Sequence, residues 1–197
     1  KGEQLRLRAI VLRNNDEQNI IKRASLLRTD SVHGKFPGTV VEDIENKALI
    51  INGQSVQLIK ASNPEEVEYS WRTSGRYKGQ PAKKSIRNGI DNTGVFTNKE
   101  ALSRHLQANG VSKVLLTAPG KEIPNIVFGA NHLEYDLSTH NIFSAASCTT
   151  NAITPILKVV NDNLGVEKGH IETVHAYTND QNLIICTKRN VEVVLLH

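Results

Sequence analysis

The stretch Ser144-Ala145-Ala146-Ser147-Cys148-Thr149-Thr150-Asn151 places a cysteine just ahead of a predicted helix. From Ala152 to Leu164, apolar residues recur at steps of three and four, the spacing of an apolar helix face, and Gly165 provides a stop signal. A thiol at this end of a helix feels the positive pole of the helix dipole, which favours the thiolate. The pattern predicts a nucleophilic Cys148. Its alternative is a small buried core residue.

The exact start of this helix is predicted from residue types. Residues 149–151 are Thr, Thr and Asn, which favour the N-cap position. Pro155 suits a first helical turn, because its missing N–H breaks no hydrogen bond there. We therefore expect the first turn to lie close to Pro155.

A histidine downstream could activate the thiol. A free thiol with a pKa of about 8.5 is only about 3% ionised at pH 7, so a nucleophilic cysteine needs a partner. The segment Gly169-His170-Ile171-Glu172-Thr173-Val174-His175 alternates in the manner of a strand. His175 could hold the thiolate as an ion pair and act as general base. The alternative is an ordinary hydrogen-bonded histidine.

Beyond these spacing patterns, the residues themselves resemble those of a known protein family. Ser144–Asn151, together with Thr173-Val174-His175-Ala176-Tyr177-Thr178-Asn179-Asp180-Gln181, resembles the catalytic segments of the phosphorylating glyceraldehyde-3-phosphate dehydrogenase family, of the bacterial type. That family also covers erythrose-4-phosphate dehydrogenases. Upstream, Asp30–Phe36, Asp91–Phe96 and Leu116–Lys121 resemble it too. The resemblance covers roughly residues 5–69 and 90–184.

The resemblance implies an NAD-dependent oxidoreductase, with NADP left open, that converts a small phosphorylated aldehyde and inorganic phosphate into an acyl phosphate. It implies Cys148 as nucleophile and His175 as base. The implied binding residues are Thr93, Gly94 and Thr117 for the cofactor, and Ser147, Thr149 and Thr178 for substrate and phosphate. Members of the family are homotetramers. Erythrose-4-phosphate dehydrogenase stays open as an alternative activity.

The fold class expected from these patterns and the resemblance is α/β. We expect a partial Rossmann-like dinucleotide-binding domain over residues 1–147, followed over residues 148–197 by the start of an α+β catalytic domain. Periodicity predicts a strand over residues 5–13, a helix from Asp16 to Leu27 and a hairpin over residues 40–51. Two strand-end turns, at Thr93-Gly94 and at Thr117, precede the cysteine segment.

The chain departs from the family pattern at its start. A dinucleotide-binding domain of this kind opens with a strand and a Gly-x-Gly-x-x-Gly turn that cradles the pyrophosphate. No Gly-x-Gly-x-x-Gly occurs in the 197 residues, and there is no Met. We therefore expect a chain without the family's N-terminal segment and without the pyrophosphate half of the cofactor site.

A second departure is the stretch from Tyr69 to Gly89. It holds six Lys and Arg residues between positions 72 and 87 and no acid. It could be a nucleic-acid patch, with Trp71 and Tyr77 interleaved, in a non-enzymatic remnant of the family, but we favour a solvated basic loop. Only Ile86 and Ile90 are apolar near its end, so we expect an interrupted sheet or foreign sequence there.

The third departure is the tail, residues 185–197. Codons typical of the family, read one base later, can give the residues found here, so we infer a shifted reading frame in which Cys186 has no role. The alternative is a genuine apolar terminal strand. We expect the chain as it stands to be inactive as a dehydrogenase, because the family's later phosphate ligands are not among its 197 residues.

The amino-acid composition limits the classes of protein and partner that remain open. The chain is 39% hydrophobic and 22% charged, which is typical of a globular protein. Two cysteines and no long apolar run predict a reduced, cytoplasmic protein without a membrane partner. No metal site is expected, and nucleic acid is not the partner that we favour.

Overall fold

The computed structural model describes residues 6–30, 33–67 and 87–175, and the backbone of residues 192–196. The described helices are α1 (Glu17–Arg28), α2 (Lys99–Ser103) and α3 (Cys148–Leu164). The described strands are β1 (Leu7–Leu12), β2 (Thr29–Asp30), β3 (Gly34–Lys35), β4 (Val40–Asp43), β5 (Ala48–Ile51), β6 (Gln54–Lys60), β7 (Arg87–Asp91), β8 (Val111–Leu116), β9 (Ile142–Ser144) and β10 (Glu192–Leu196). Short 3₁₀ turns cover Pro64–Glu66 and Arg104–Gln107.

One large sheet organises these elements, in the order β4-β5-β6-β1-β10-β7-β8-β9. The strands β6 and β1 pair in parallel, and so do β7, β8 and β9. The hairpins β4-β5 and β5-β6 are antiparallel, and β10 pairs antiparallel with both of its neighbours. This mixed sheet with connecting helices confirms the predicted α/β class.

Helix α1 begins at a side-chain cap and covers one half of the sheet. The Asp16 carboxylate accepts a hydrogen bond from the Asn19 N–H at 2.9 Å. Ile20 and Ala24 are buried against Leu49 and neighbouring strand residues. The helical spacing predicts Ile20, Ile21 and Ala24 on one apolar face, but Ile21 is about half exposed.

A second core lies under β7–β9. Leu102 of α2 packs against Val114, Leu116 and Ile142. The residue pattern from Lys99 to Ala108 predicts a helix, but the segment changes to a 3₁₀ turn at Arg104, so the regular α-helical part is short. Asn98 caps its start by accepting the Ala101 N–H at 2.8 Å.

The expected interruption of the sheet near Ile90 is wrong. Residues 87–91 form β7, which pairs with β8 on one side and with β10 on the other. Pairing on both sides satisfies the backbone groups of β7, so few apolar side chains are needed to hold it. The basic stretch that precedes it lies outside the described residues, apart from the backbone of Arg87, and its role stays a prediction.

Two other predicted strands are absent from the described part of the chain. Residues 169–175 have no regular secondary structure and are exposed, and no strand within the described ranges pairs with them. The largely apolar residues 126–128 also predict a short strand, and no strand forms there. Only an isolated bridge joins Asn125 to Ser144, and the Phe128 side chain is 81% exposed.

The tail contributes β10, so the apolar terminal strand that was the alternative does form. It comes from a range that we assigned to the second domain, and it lies at the centre of the large sheet. The inferred frame shift and the domain boundary at residue 147 stay predictions. No described helix is long and apolar enough to cross a membrane.

Candidate functional site

The predicted site residues follow three neighbouring parallel strands at one edge of the sheet. Thr93 and Gly94 follow β7, Thr117 follows β8, and Cys148 comes a few residues after β9. The carboxyl ends of parallel strands meet at the same edge, which is where open α/β sheets bind their ligands. The topology therefore brings the predicted cofactor turns and the nucleophile segment to one edge.

The first cofactor turn is held by a buried carboxylate. One oxygen of Asp91 accepts the Thr93 N–H at 2.7 Å, and the Thr93 hydroxyl accepts the Val95 N–H at 3.0 Å. Gly94 has φ of 66°, a conformation that glycine adopts without steric cost. The chain's own hydrogen bonds therefore define the geometry of this turn.

The second cofactor turn is tied to the first. Both the N–H and the hydroxyl of Thr117 lie within hydrogen-bond distance of the Asp91 carbonyl oxygen, at 3.0 and 3.1 Å. The same hydroxyl is 2.8 Å from the Asn92 side-chain oxygen. Asp91 is thus the residue that joins the two turns.

His105 is a site-supporting residue that the sequence analysis missed. Its ring contacts the second Asp91 oxygen and packs edge-on against Phe96. A signal was present, because His105 lies three residues after the buried Leu102 on the same face of the helical segment. A histidine on an apolar face needs a polar partner, and Asp91 is that partner.

The turn before the nucleophile is unusually shaped. Ala146 has φ of 58°, which is uncommon for a residue with a Cβ atom. The Ser144 hydroxyl accepts the Ala146 N–H at 2.9 Å and lies 2.7 Å from the Ala118 carbonyl oxygen. The Ala145 N–H donates to the Leu116 carbonyl at 2.8 Å, so this turn is fastened to the one that follows β8.

Ser147 caps α3, so the predicted cap at residues 149–151 is wrong. Its extended backbone lets its hydroxyl accept the Thr150 N–H at 3.0 Å, and the helix begins at Cys148. Pro155 consequently lies inside the helix rather than in its first turn. Asn151 instead donates to the Ala145 and Ser147 carbonyls, at 2.6 and 2.8 Å.

Cys148 and His175 come together at this helix start. The Sγ atom lies 3.3 Å from His175 Nε2, although the two residues are 27 positions apart. The hydrogen bond from His175 lowers the pKa of the Cys148 thiol, and the Thr149 backbone N–H lowers it further. Both side chains are exposed, so a small molecule can reach the sulfur.

The remaining predicted residues are placed as follows. Thr149 is half-buried, and its hydroxyl lies 3.1 Å from that of Ser147. Thr178 and Cys186 lie outside the described residues. Within the described ranges, no group of three or more His, Cys, Asp or Glu side chains could hold a metal ion.

Two family models match the chain. Residues 4–75 match the NAD binding domain of glyceraldehyde 3-phosphate dehydrogenase, and residues 147–192 match its C-terminal domain. Together they cover more than half of the chain, in the order expected. The chain belongs to the glyceraldehyde-3-phosphate dehydrogenase family. The second match starts at Ser147, the residue that caps the nucleophile helix.

Individual members of the family are similar along most of the chain. A glyceraldehyde-3-phosphate dehydrogenase-like protein of Pseudomonas aeruginosa is 50% identical over 186 residues, which is 93% of this chain and 38% of that protein. Glyceraldehyde-3-phosphate dehydrogenase of another strain of that species is 40% identical over 92% of this chain and 48% of its own length. Glyceraldehyde-3-phosphate dehydrogenase 2 of Trichormus variabilis is 38% identical over 90% of this chain and 49% of its own length. The chain spans about half the length, or less, of these relatives.

The match to the family's NAD binding domain supports NAD as the cofactor. Thr93, Gly94 and Thr117 would line part of an NAD site, because they lie at the ligand-binding edge of the sheet. The pyrophosphate needs a Gly-rich turn at a helix N-terminus, and the chain contains no Gly-x-Gly-x-x-Gly. The described residues therefore do not fit the whole dinucleotide.

Proposed function

We propose that this chain carries the nucleophile of an NAD-dependent, phosphorylating aldehyde dehydrogenase of the glyceraldehyde-3-phosphate dehydrogenase type. The single observation that carries the proposal is the 3.3 Å contact between Cys148 Sγ and His175 Nε2 at the start of α3. A thiol next to a base and a helix N-terminus is the arrangement of an activated cysteine nucleophile.

The first chemical step needs only these groups. The Cys148 thiolate attacks the aldehyde carbon, a C–S bond forms, and the carbonyl π electrons move to the oxygen. The protonated ring of His175 then gives its Nε2 proton to that oxygen, which leaves a neutral thiohemiacetal and a neutral imidazole. The backbone N–H of Cys148, at the helix start, is suited to stabilise the oxyanion before the proton arrives.

Three further side chains are proposed to hold phosphate groups. They are Ser147, Thr149 and Thr178, by resemblance to the family. The Ser147 hydroxyl accepts the Thr150 N–H and lies 2.6 Å from the Thr150 hydroxyl, and its own proton is the group that it would offer a phosphate. The chemistry that NAD would supply is the acceptance of a hydride. Both glyceraldehyde 3-phosphate and erythrose 4-phosphate fit this proposal as substrates.

Thiohemiacetal formation can be measured without the cofactor. We would add glyceraldehyde 3-phosphate, ¹³C-labelled at the aldehyde carbon, to the 197-residue chain and record carbon NMR spectra. We expect a new tetrahedral carbon signal in the Cys186→Ser control and none in Cys148→Ser. Equal signals from both variants, or none from either, would contradict the proposal.

A further inference from the structure

One strand of the large sheet runs against its neighbours. In the series β6-β1-β10-β7-β8-β9, β6 is parallel to β1, and β7, β8 and β9 are parallel to one another. Since β10 is antiparallel to both β1 and β7, those two strands also run in the same direction. Five of these six strands therefore point one way, and β10 points the other way.

This series has the order of a doubly wound dinucleotide fold with a substitute in one position. That fold has the order 3-2-1-4-5-6, counted along the chain, with all six strands parallel. In this numbering, β1 corresponds to strand 2 and β6 to strand 3. The strands β7, β8 and β9 correspond to strands 4, 5 and 6. The slot between β1 and β7, filled by β10, is the position of the first strand, the one that ends in the Gly-rich turn.

The reversed direction of β10 changes what lies at the ligand edge. Glu192 pairs with Leu12, and Val193 pairs with Asp91, at the carboxyl ends of β1 and β7. The amino end of β10 therefore lies where a first strand would present its carboxyl end. The Gly-rich turn of such a fold follows that carboxyl end, so β10 cannot supply it.

The pairing of β10 with β1 is also irregular. The register slips between Leu7 and Ala9, which pair with the consecutive residues Leu196 and Leu195. The pairing of β10 nevertheless covers unpaired backbone edges of β1 and β7 at the centre of the sheet. Its sequence, Glu-Val-Val-Leu-Leu, suits a strand covered on both faces. β10 fills the slot without reproducing the strand direction that a dinucleotide site needs.

We propose that the slot between β1 and β7 is a strand-exchange site. Its ligand is a second polypeptide segment, an apolar strand of about six residues followed by Gly-x-Gly-x-x-Gly and the start of a helix. This segment inserts parallel to β1, displaces β10 and completes the pyrophosphate site next to Thr93. The gain in NAD binding rests on the proposed function, whereas the displacement of β10 does not.

The displacement can be tested by hydrogen exchange on the full 197-residue chain. We would add a synthetic peptide with the stated pattern and follow amide exchange by mass spectrometry. Amides of residues 192–196 should exchange at least tenfold faster with saturating peptide, while those of β1 and β7 keep their protection. Unchanged protection of residues 192–196 at saturating peptide would overturn the proposal.

A proline in β10 provides a second measurement. Val194 is paired with Ile10 on one side and Ile90 on the other, and Val194→Pro removes its N–H from the strand. This variant should bind the peptide at least tenfold more tightly than the unaltered chain, or regain its β-sheet circular dichroism when the peptide is added. The control is Val166→Pro, in the exposed segment after α3, which should bind the peptide like the unaltered chain. Equal peptide affinity of both variants, without any regain of sheet, would overturn the proposal.

A second peptide separates this proposal from the proposed function. It has Ala in place of the three Gly residues, so it keeps the strand and loses the pyrophosphate turn. Both peptides should displace β10, but only the Gly peptide should raise NAD affinity, by at least tenfold in calorimetry. Displacement without any gain in NAD affinity would support strand exchange and count against the NAD-dependent function.

Discussion

The Asp91 carboxylate and the His105 ring form a buried pair, with Oδ2 2.8 Å from Nε2. Asp91 is fully buried, and its other oxygen accepts the Thr93 N–H. Its carbonyl oxygen is bound by Thr117 from the neighbouring turn. A single buried residue therefore connects the segment after α2 to both turns that are predicted to line the cofactor.

Removing the histidine should destabilise the fold. His105→Leu leaves the Asp91 carboxylate buried without its ring partner, which typically costs about 3–5 kcal/mol in the free energy of unfolding. Urea unfolding followed by far-UV circular dichroism measures this loss. The control is Asp162→Ala, which breaks the exposed Lys158–Asp162 pair and should change the free energy of unfolding far less, because exposed ion pairs contribute little to stability. Similar losses for the two variants would contradict the central role of the buried pair.

The reactivity of Cys148 should depend on His175. Because the His175 hydrogen bond lowers the pKa of the thiol, the thiolate persists to lower pH than in an ordinary cysteine. Iodoacetamide should therefore alkylate Cys148 several-fold faster than Cys186 at pH 7. Mass spectrometry of the two labelled peptides across pH 5–9 gives both rates.

The matched variant for this measurement is His175→Gln, which keeps a polar side chain and loses the base. It should move the midpoint of Cys148 alkylation to higher pH and leave the Cys186 profile unchanged. Identical Cys148 profiles before and after the substitution would show that the 3.3 Å contact does not activate the thiol.

The Ser147 cap should stabilise the start of α3 locally rather than the whole fold. Helix α3 has no buried side chain, so its fraying does not require the core to open. Ser147→Ala should lower the stability of the first turn of α3 by about 1 kcal/mol. Hydrogen exchange should show this as faster exchange of amides near Thr150, with little change in the free energy of global unfolding. Ser147→Asn retains a capping side chain and serves as the control. An equal loss of protection in both variants would rule out the hydroxyl as the cap.

NAD should bind weakly to the isolated chain. The 197 residues contain no Gly-x-Gly-x-x-Gly for the pyrophosphate, and we expect the turns at Thr93 and Thr117 to reach only part of the dinucleotide. We expect a dissociation constant above the millimolar range in calorimetry. A micromolar constant would refute this account of the site.

Turnover should fail for the same reason. Positioning of substrate and cofactor can supply about 7–11 kcal/mol of a reaction barrier, and the isolated chain lacks the turn that anchors the cofactor. With glyceraldehyde 3-phosphate, phosphate and NAD, NADH formation should not exceed that of Cys148→Ser. Clear steady-state NADH production by the chain alone would overturn this prediction.

Local patterns in the sequence determined the helices, hairpins and caps that depend on residues close together in the chain. The helix from Glu17 to Arg28 and the hairpin strands β4 and β5 formed where periodicity and turn residues predicted them. Gly165 ends α3 as expected, at a φ of 73°. The long, literal resemblance around Cys148 also indicated the family correctly, since such a segment carries far more information than spacing alone.

The tertiary structure decided the contacts between residues that are far apart in the chain. Ser147 rather than residues 149–151 caps α3, because the backbone turns into the helix one residue earlier. The segment before His175 forms no strand and pairs with none of the described strands, whereas residues 192–196 pair with both β1 and β7. Local propensity depends on side chains a few residues apart, but strand pairing depends on which distant backbone edges remain unpaired. Only the folded chain could therefore show that the strand of residues 192–196 lies between β1 and β7.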